Sequence, residues 1–114
     1  MRHIAFEVDG SPPYKQTPAD VSEAARQKQR RELLQREARR AAADAVIECP
    51  LDGQVSMSIT YLRARGRTDA ANIIGGIADG LQGIAYVNDS QVTEVHYIEE
   101  AAKEESYSVT ISLL

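Results

Sequence analysis

Apolar and polar residues alternate along this chain with two different periods, and the switches between those periods divide it into elements. At the start, Ile4, Phe6 and Val8 alternate with His3, Ala5 and Glu7, the two-residue period of a half-buried strand. The DGSPPYKQTP that follows ends regular structure, because adjacent prolines remove donors and hold the backbone extended. From Pro18 to Val46 the residues are good helix formers, with Pro18 suited to the opening position. The second half of this helix carries Leu34, Ala38, Ala41, Ala42 and Ala45 on one face, which is expected to pack. Its first half does not: RQKQRRE, between Ala25 and Leu33, has little to bury and is expected to project into solvent or toward a ligand.

Residues 54 to 62 alternate again, with Val55, Met57, Ile59 and Tyr61 on one side and Gln54, Ser56, Ser58 and Thr60 on the other. A second helix is predicted from Ala70 to Leu81, with Ile73, Ile74, Ile77 and Leu81 as its apolar stripe, then a turn at VNDS. Two strands close the chain, Gln91 to Glu99 and Ser106 to Leu113, and the acidic EAAKEE between them predicts an antiparallel hairpin. The order β-α-β-α-β-β predicts an α+β, two-layer α/β fold, a small mixed sheet covered by two helices in a single domain over residues 1 to 114.

Composition narrows the class. With 43% hydrophobic residues, 26% charged and no apolar run near the length of a membrane span, the chain is expected to be globular. No signal-peptide pattern precedes the first strand, so a cytoplasmic protein is expected. Cys49 is the only cysteine, which excludes an internal disulfide and a clustered zinc site. The net charge of -4 conceals an asymmetry: residues 1 to 67 hold twelve Lys/Arg against nine Asp/Glu, and residues 68 to 114 one against eight. Ten of the thirteen basic residues fall in two clusters, Arg26 to Arg40 and the trio Arg63, Arg65 and Arg67, which stands directly before Asp69. A basic cluster beside isolated acids suits a polyanion held while carboxylates act on it; a solvated helix face with a charged loop gives the same composition.

The segments DGSPPYK, RTDAANIIGGIADGLQGIAYVNDSQV and the last two strands together resemble the RusA family of Holliday junction resolvases, small dimeric endonucleases encoded by bacteria and prophages. The resemblance runs through Asp69, Ala70, Ala71, Asn72, then Asp79, then Asn88, Asp89, Ser90, Gln91 and Val92. It implies a homodimer that binds branched DNA and cuts it with Mg²⁺ or Mn²⁺. Asp69 and Asp89 would be the catalytic, metal-binding carboxylates, with Asn72 and Asp79 in support and Lys15, Arg63, Arg65 and Arg67 on the phosphates. Asp69, at the start of a helix, is expected to be held by that helix N-terminus, and Asp89 to approach it from the loop beyond. Each acid has a plainer reading as well: Asp69 as an N-cap, and Asn88 with Asp89 as an ordinary turn.

The chain departs from the family pattern at functional positions. Ala71 stands where a second acid is expected, Gly75 where a lysine is common, and Asn88 in place of the first member of an acid pair. Alanine offers no oxygen to a metal. An engineered Asp→Ala change and a natural degenerate member that still binds junctions both account for it. Completion of the metal by another group, such as Asp79 or Asn72, is a third account and a weaker one, since those two lie about 10 Å apart along the helix and do not easily share one ion. A non-catalytic DNA- or protein-interaction accessory protein of phage origin is the alternative function. The pair Gly75 and Gly76 weakens the second helix and is expected to mark close packing against another helix or subunit.

Overall fold

The computed structural model describes residues 2–64, 66 and 69–114. Strand β1 (His3–Asp9) leads to helix α1 (Val21–Asp44), strand β2 (Val55–Arg63) and helix α2 (Ala70–Gly80). A 3-10 turn at Asp89–Gln91 then precedes strands β3 (Val92–Ala101) and β4 (Ser106–Leu113). The four strands form one mixed sheet in the order β1-β4-β2-β3, the α+β arrangement that the periodicity predicts.

Alternation along β2 and β4 turns Val55, Met57, Ile59 and Tyr61, with Tyr107, Val109 and Ile111, toward one face. Leu34, Ala38 and Ala42 of α1 and Ile73 and Ile77 of α2 join them in a single core. Each fully buried aliphatic side chain contributes about 1.5–3 kcal/mol. The opposite face is a field of hydroxyls, because the register sets Ser56 against Ser112, Ser58 against Thr110 and Thr60 against Ser108.

The expected hairpin between the last two strands does not form. β4 lies between β1 and β2 and is antiparallel to both, while β3 pairs with β2 in parallel at the sheet edge. The link between β3 and β4 therefore steps across the end of β2. Ala102 N–H bonds the Arg63 carbonyl at 3.0 Å there, and Ala64 N–H bonds Glu105 Oε1 at 2.7 Å. The Glu105 carboxylate also accepts from Ser11 and from Tyr61 Oη, so one acid ties three segments at that corner. Burial explains the order: β4 alternates buried and half-buried positions as an interior strand does, whereas β3, with Glu94, Glu99 and Glu100, is exposed along most of its length, a charged edge.

Both ends of α1 are set by local chemistry inside the predicted span. Asp20 caps it by accepting from Glu23 N–H at 2.8 Å, which leaves Pro18 outside the helix. At the other end Val46 N–H bonds Ala43 O and Ile47 N–H bonds Ala42 O, the paired bonds of a Schellman motif. Such a motif needs a left-handed residue, and Val46 takes φ 55 where glycine is usual. Its side chain is 90% exposed and returns nothing for the strain.

The pair Gly75 and Gly76 does mark close packing, but against the extended segment after β1 and not against the expected helix or subunit. A Cβ at Gly76 would overlap the Pro13 carbonyl and stand 2.5 Å from Tyr14 Cα. One at Gly80 would stand 2.8 Å from Leu34 Cδ2 of α1. The extended segment after β1 thus lies directly on α2.

Two substitutions test these features by urea unfolding. Val46→Gly is expected to stabilise the chain by about 1 kcal/mol, since it relieves the left-handed strain at no cost in packing. Gly76→Ala is expected to destabilise it by about 1–3 kcal/mol, because the clash is with backbone that cannot rotate away.

Candidate functional site

Asp69 is the N-cap of α2; its Oδ1 accepts from Ala71 N–H at 2.9 Å and from Asn72 N–H at 3.4 Å. The carboxylate therefore sits at the positive end of the helix dipole. Asp79 lies one residue before the end of the same helix, about 15 Å further along the axis. At that end the predicted residues meet. Lys15 donates its N–H to the Asn72 carbonyl at 2.9 Å, and its methylenes cross Gly75, where a Cβ would be 3.2 Å away. Its ammonium stands 3.9 Å from Asp79 Oδ1. Gln82 Nε2 donates to Asp79 Oδ1 at 3.5 Å, and Gln82 Oε1 accepts from Asp89 N–H at 3.0 Å. Lys15, Asp79, Gln82 and Asp89 make one chain of contacts.

Asp69 is not part of it. β2, α2 and β3 form a parallel crossover in which Val55, at the start of β2, faces Val92, at the start of β3. Asp89 precedes β3 and so belongs to that end, whereas Asp69 follows the far end of β2. The expected approach of Asp89 to Asp69 does not occur within one chain, because the helix that separates them in sequence also separates them in space.

Arg63 holds the Asp69 side of the fold. Its Nε donates to Glu99 Oε2 at 3.0 Å across β2 and β3, and its Nη1 to the Gly66 carbonyl. The side chain is only 29% exposed, so the guanidinium is already engaged. Arg65 and Arg67 lie outside the described residues.

The turn before β3 is a local construction. Asn88 Oδ1 accepts from Ser90 N–H at 2.9 Å, while Gln91 Oε1 accepts from Val87 N–H at 2.9 Å and from Asn88 N–H at 3.0 Å. Gln91 Nε2 reaches back to the carbonyls of Leu51 and Gly53 at 3.0 and 2.8 Å. Gln91 is thus a staple for the loop that carries Asp89, a role that the motif's glutamine does not announce. Gln82 carries one signal in the sequence, a polar side chain directly after the apolar stripe of α2.

Residues 10–112 match the family model for the endodeoxyribonuclease RusA. The chain belongs to the RusA endodeoxyribonuclease family. Members of this family resolve Holliday junctions and depend on a divalent metal. No curated protein matches the sequence.

Among the described residues of one chain the family's metal finds no shared site. Asp69 and Asp89 stand at opposite ends of the crossover, and Ala71 brings no oxygen. Among the described residues no three His, Cys, Asp or Glu side chains converge as a metal site would require. None of the described helices is long and apolar enough to cross a membrane.

Beneath the turn, Tyr86 Oη donates to the Ala78 carbonyl at 2.6 Å. Burial pushes its phenol pKa up, and the charges of Asp89 and Asp79 add to the shift. Burial likewise raises Tyr107, and burial with the Glu105 bond raises Tyr61. These phenols stay protonated in the folded chain at a pH where they ionise in the unfolded one. The unfolded state then binds fewer protons, so stability falls as the pH rises through the ordinary phenol value of about 10. Absorbance at alkaline pH is expected to show these three phenols ionising together with loss of helical circular dichroism.

Proposed function

We propose that this RusA-family chain binds four-way DNA junctions as a homodimer in the bacterial cytoplasm, and that its cleavage step is impaired by alanine at position 71. The family match is the observation that carries the reading: it spans both acids and position 71, where the resemblance expects an oxygen ligand and this chain has alanine. A four-way junction has two symmetry-related strands to cut, which calls for a two-fold dimer with one site per copy. Lys15, Arg65 and Arg67 contact phosphates, Arg63 does so only by leaving its bond to Glu99, and the basic first half of α1 extends the same positive surface. Asp69 and Asp89 are the carboxylates for Mg²⁺ or Mn²⁺, with Asn72 and Asp79 in support; since one chain holds Asp69 and Asp89 at opposite ends of the crossover, they share an ion only across the dimer. Mg²⁺ sites use one or two carboxylates with water and substrate phosphate, so a carboxylate two residues after Asp69 would restore a pair at the start of α2.

Gel shift and nicking assays on a four-way junction and on linear duplex, with Mg²⁺ and with chelator, test the reading. The unaltered chain is expected to prefer the junction and leave it intact, and Ala71→Asp to nick it only with Mg²⁺. Equal affinity for junction and duplex in both proteins would sink junction recognition and leave the accessory-protein alternative. Nicking by the unaltered chain would sink the impairment. Light scattering at micromolar concentration is expected to return the mass of two chains.

A further inference from the structure

The segment 14–18 and the first half of α1 leave between them a cleft of about 500 Å³, bounded at its outer end by Asp79. Gln27 of α1 lines it and is only 7% exposed, an unusual state for a glutamine amid the charged run RQKQRRE. Gln27 Oε1 is used, accepting from Tyr14 N–H at 3.1 Å. Gln27 Nε2 has no hydrogen-bond partner among the described residues. A buried donor without a partner is costly, and this one lines a cleft that also receives Lys15 and Arg31.

We infer that this cleft holds one phosphodiester of the DNA backbone, bound by Gln27 Nε2 and by the charges of Lys15 and Arg31. Charge is the first argument. Lys15 and Arg31 bring two positive charges and Asp79 one negative, so the cleft carries a net single positive charge against the single negative charge of a phosphodiester. Arg30, 5.8 Å from the Tyr14 ring centroid, adds to the field beside Tyr14. Size is the second argument, because the volume exceeds what a bare ion fills and accommodates a phosphate with its flanking sugars. Position is the third: Lys15 and Asp79 belong to the chain of contacts that ends at Asp89, so a phosphate here would register the DNA next to that acid. Asp79 competes for the Lys15 ammonium, 3.9 Å away, and the phosphate would share it. The inference rests on the DNA-binding reading and adds to it a defined phosphate position.

The test follows the side-chain amide resonances of Gln27 in the full-length chain. Titration with a thymidine tetranucleotide is expected to shift them, and inorganic phosphate at equal phosphate concentration to shift them far less. Gln27→Glu keeps an oxygen for Tyr14 N–H but replaces the free donor with an anion. It is expected to weaken junction binding about tenfold, the equivalent of one hydrogen bond to a charged group. The exposed Gln29→Glu makes the same change of charge on α1 and is expected to weaken it far less. Lys15→Gln and Arg31→Gln should each lower the slope of log affinity against log salt by about 1. Unmoved Gln27 resonances on a chain that binds the junction would overturn the cleft alone, as would a shift with inorganic phosphate but not with the tetranucleotide. A chain that binds no DNA would overturn the functional reading with it. A Gln27→Glu protein that fails to fold leaves the resonance titration to decide.

Discussion

Backbone lies on backbone where Pro13 and Tyr14 cross Gly76, and most of the candidate site follows from that contact. Had α2 carried side chains at 75 and 76, the segment after β1 would be held away from the helix. Lys15 could then not run along it to Asp79, and Tyr14 N–H could not reach Gln27. Gly80 performs the same service for α1, admitting Leu34 and so fixing the face that α1 turns to the segment. Helical propensity is given up at three positions of an eleven-residue helix. The compensation is tertiary: the segment after β1 and helix α1 both close on one short helix.

That convergence separates two chemistries along α2. Asp69 is held by the first turn, with Arg63 nearby already committed to Glu99. The other end gathers Lys15, Asp79, Gln82 and Asp89, with Gln27 and Arg31 on the neighbouring helix. A family pattern written along the sequence lists these acids as one set, and the parallel crossover distributes them. The acid that would have strengthened the Asp69 end is the one this chain lacks, so the end with more polar groups is the one that faces α1.

Much of the fold was legible because the side-chain pattern has a single physical cause. Val55, Met57, Ile59 and Tyr61 alternate because one face of β2 is buried, and Leu34, Ala38 and Ala42 recur because one stripe of α1 is. Strand pairing has no such signature. The four residues between β3 and β4 span up to about 13 Å when extended, enough for a tight hairpin and enough to step over one intervening strand. The charged, exposed β3 was the clue to an edge, but it had to be weighed against sequence adjacency. At the site, the glycine pair announced a close approach, whereas its partner lies some sixty residues earlier and left no mark nearby. The membership of Asp69 and Asp89 came from resemblance; their separation follows only from the parallel pairing of β2 and β3, which periodicity does not encode.

The sheet order also bears on how the chain comes into being. β1 has one neighbour in the sheet, β4, and the pairing runs from His3 with Ser112 to Asp9 with Ser106. During synthesis the first strand leaves the ribosome long before its partner exists, and with no hairpin between any two strands it has no local ladder to join. The helices can form as they emerge, but the sheet closes only after β4 has been made. A chain that stops short of β4 therefore leaves β1 with no partner in the sheet.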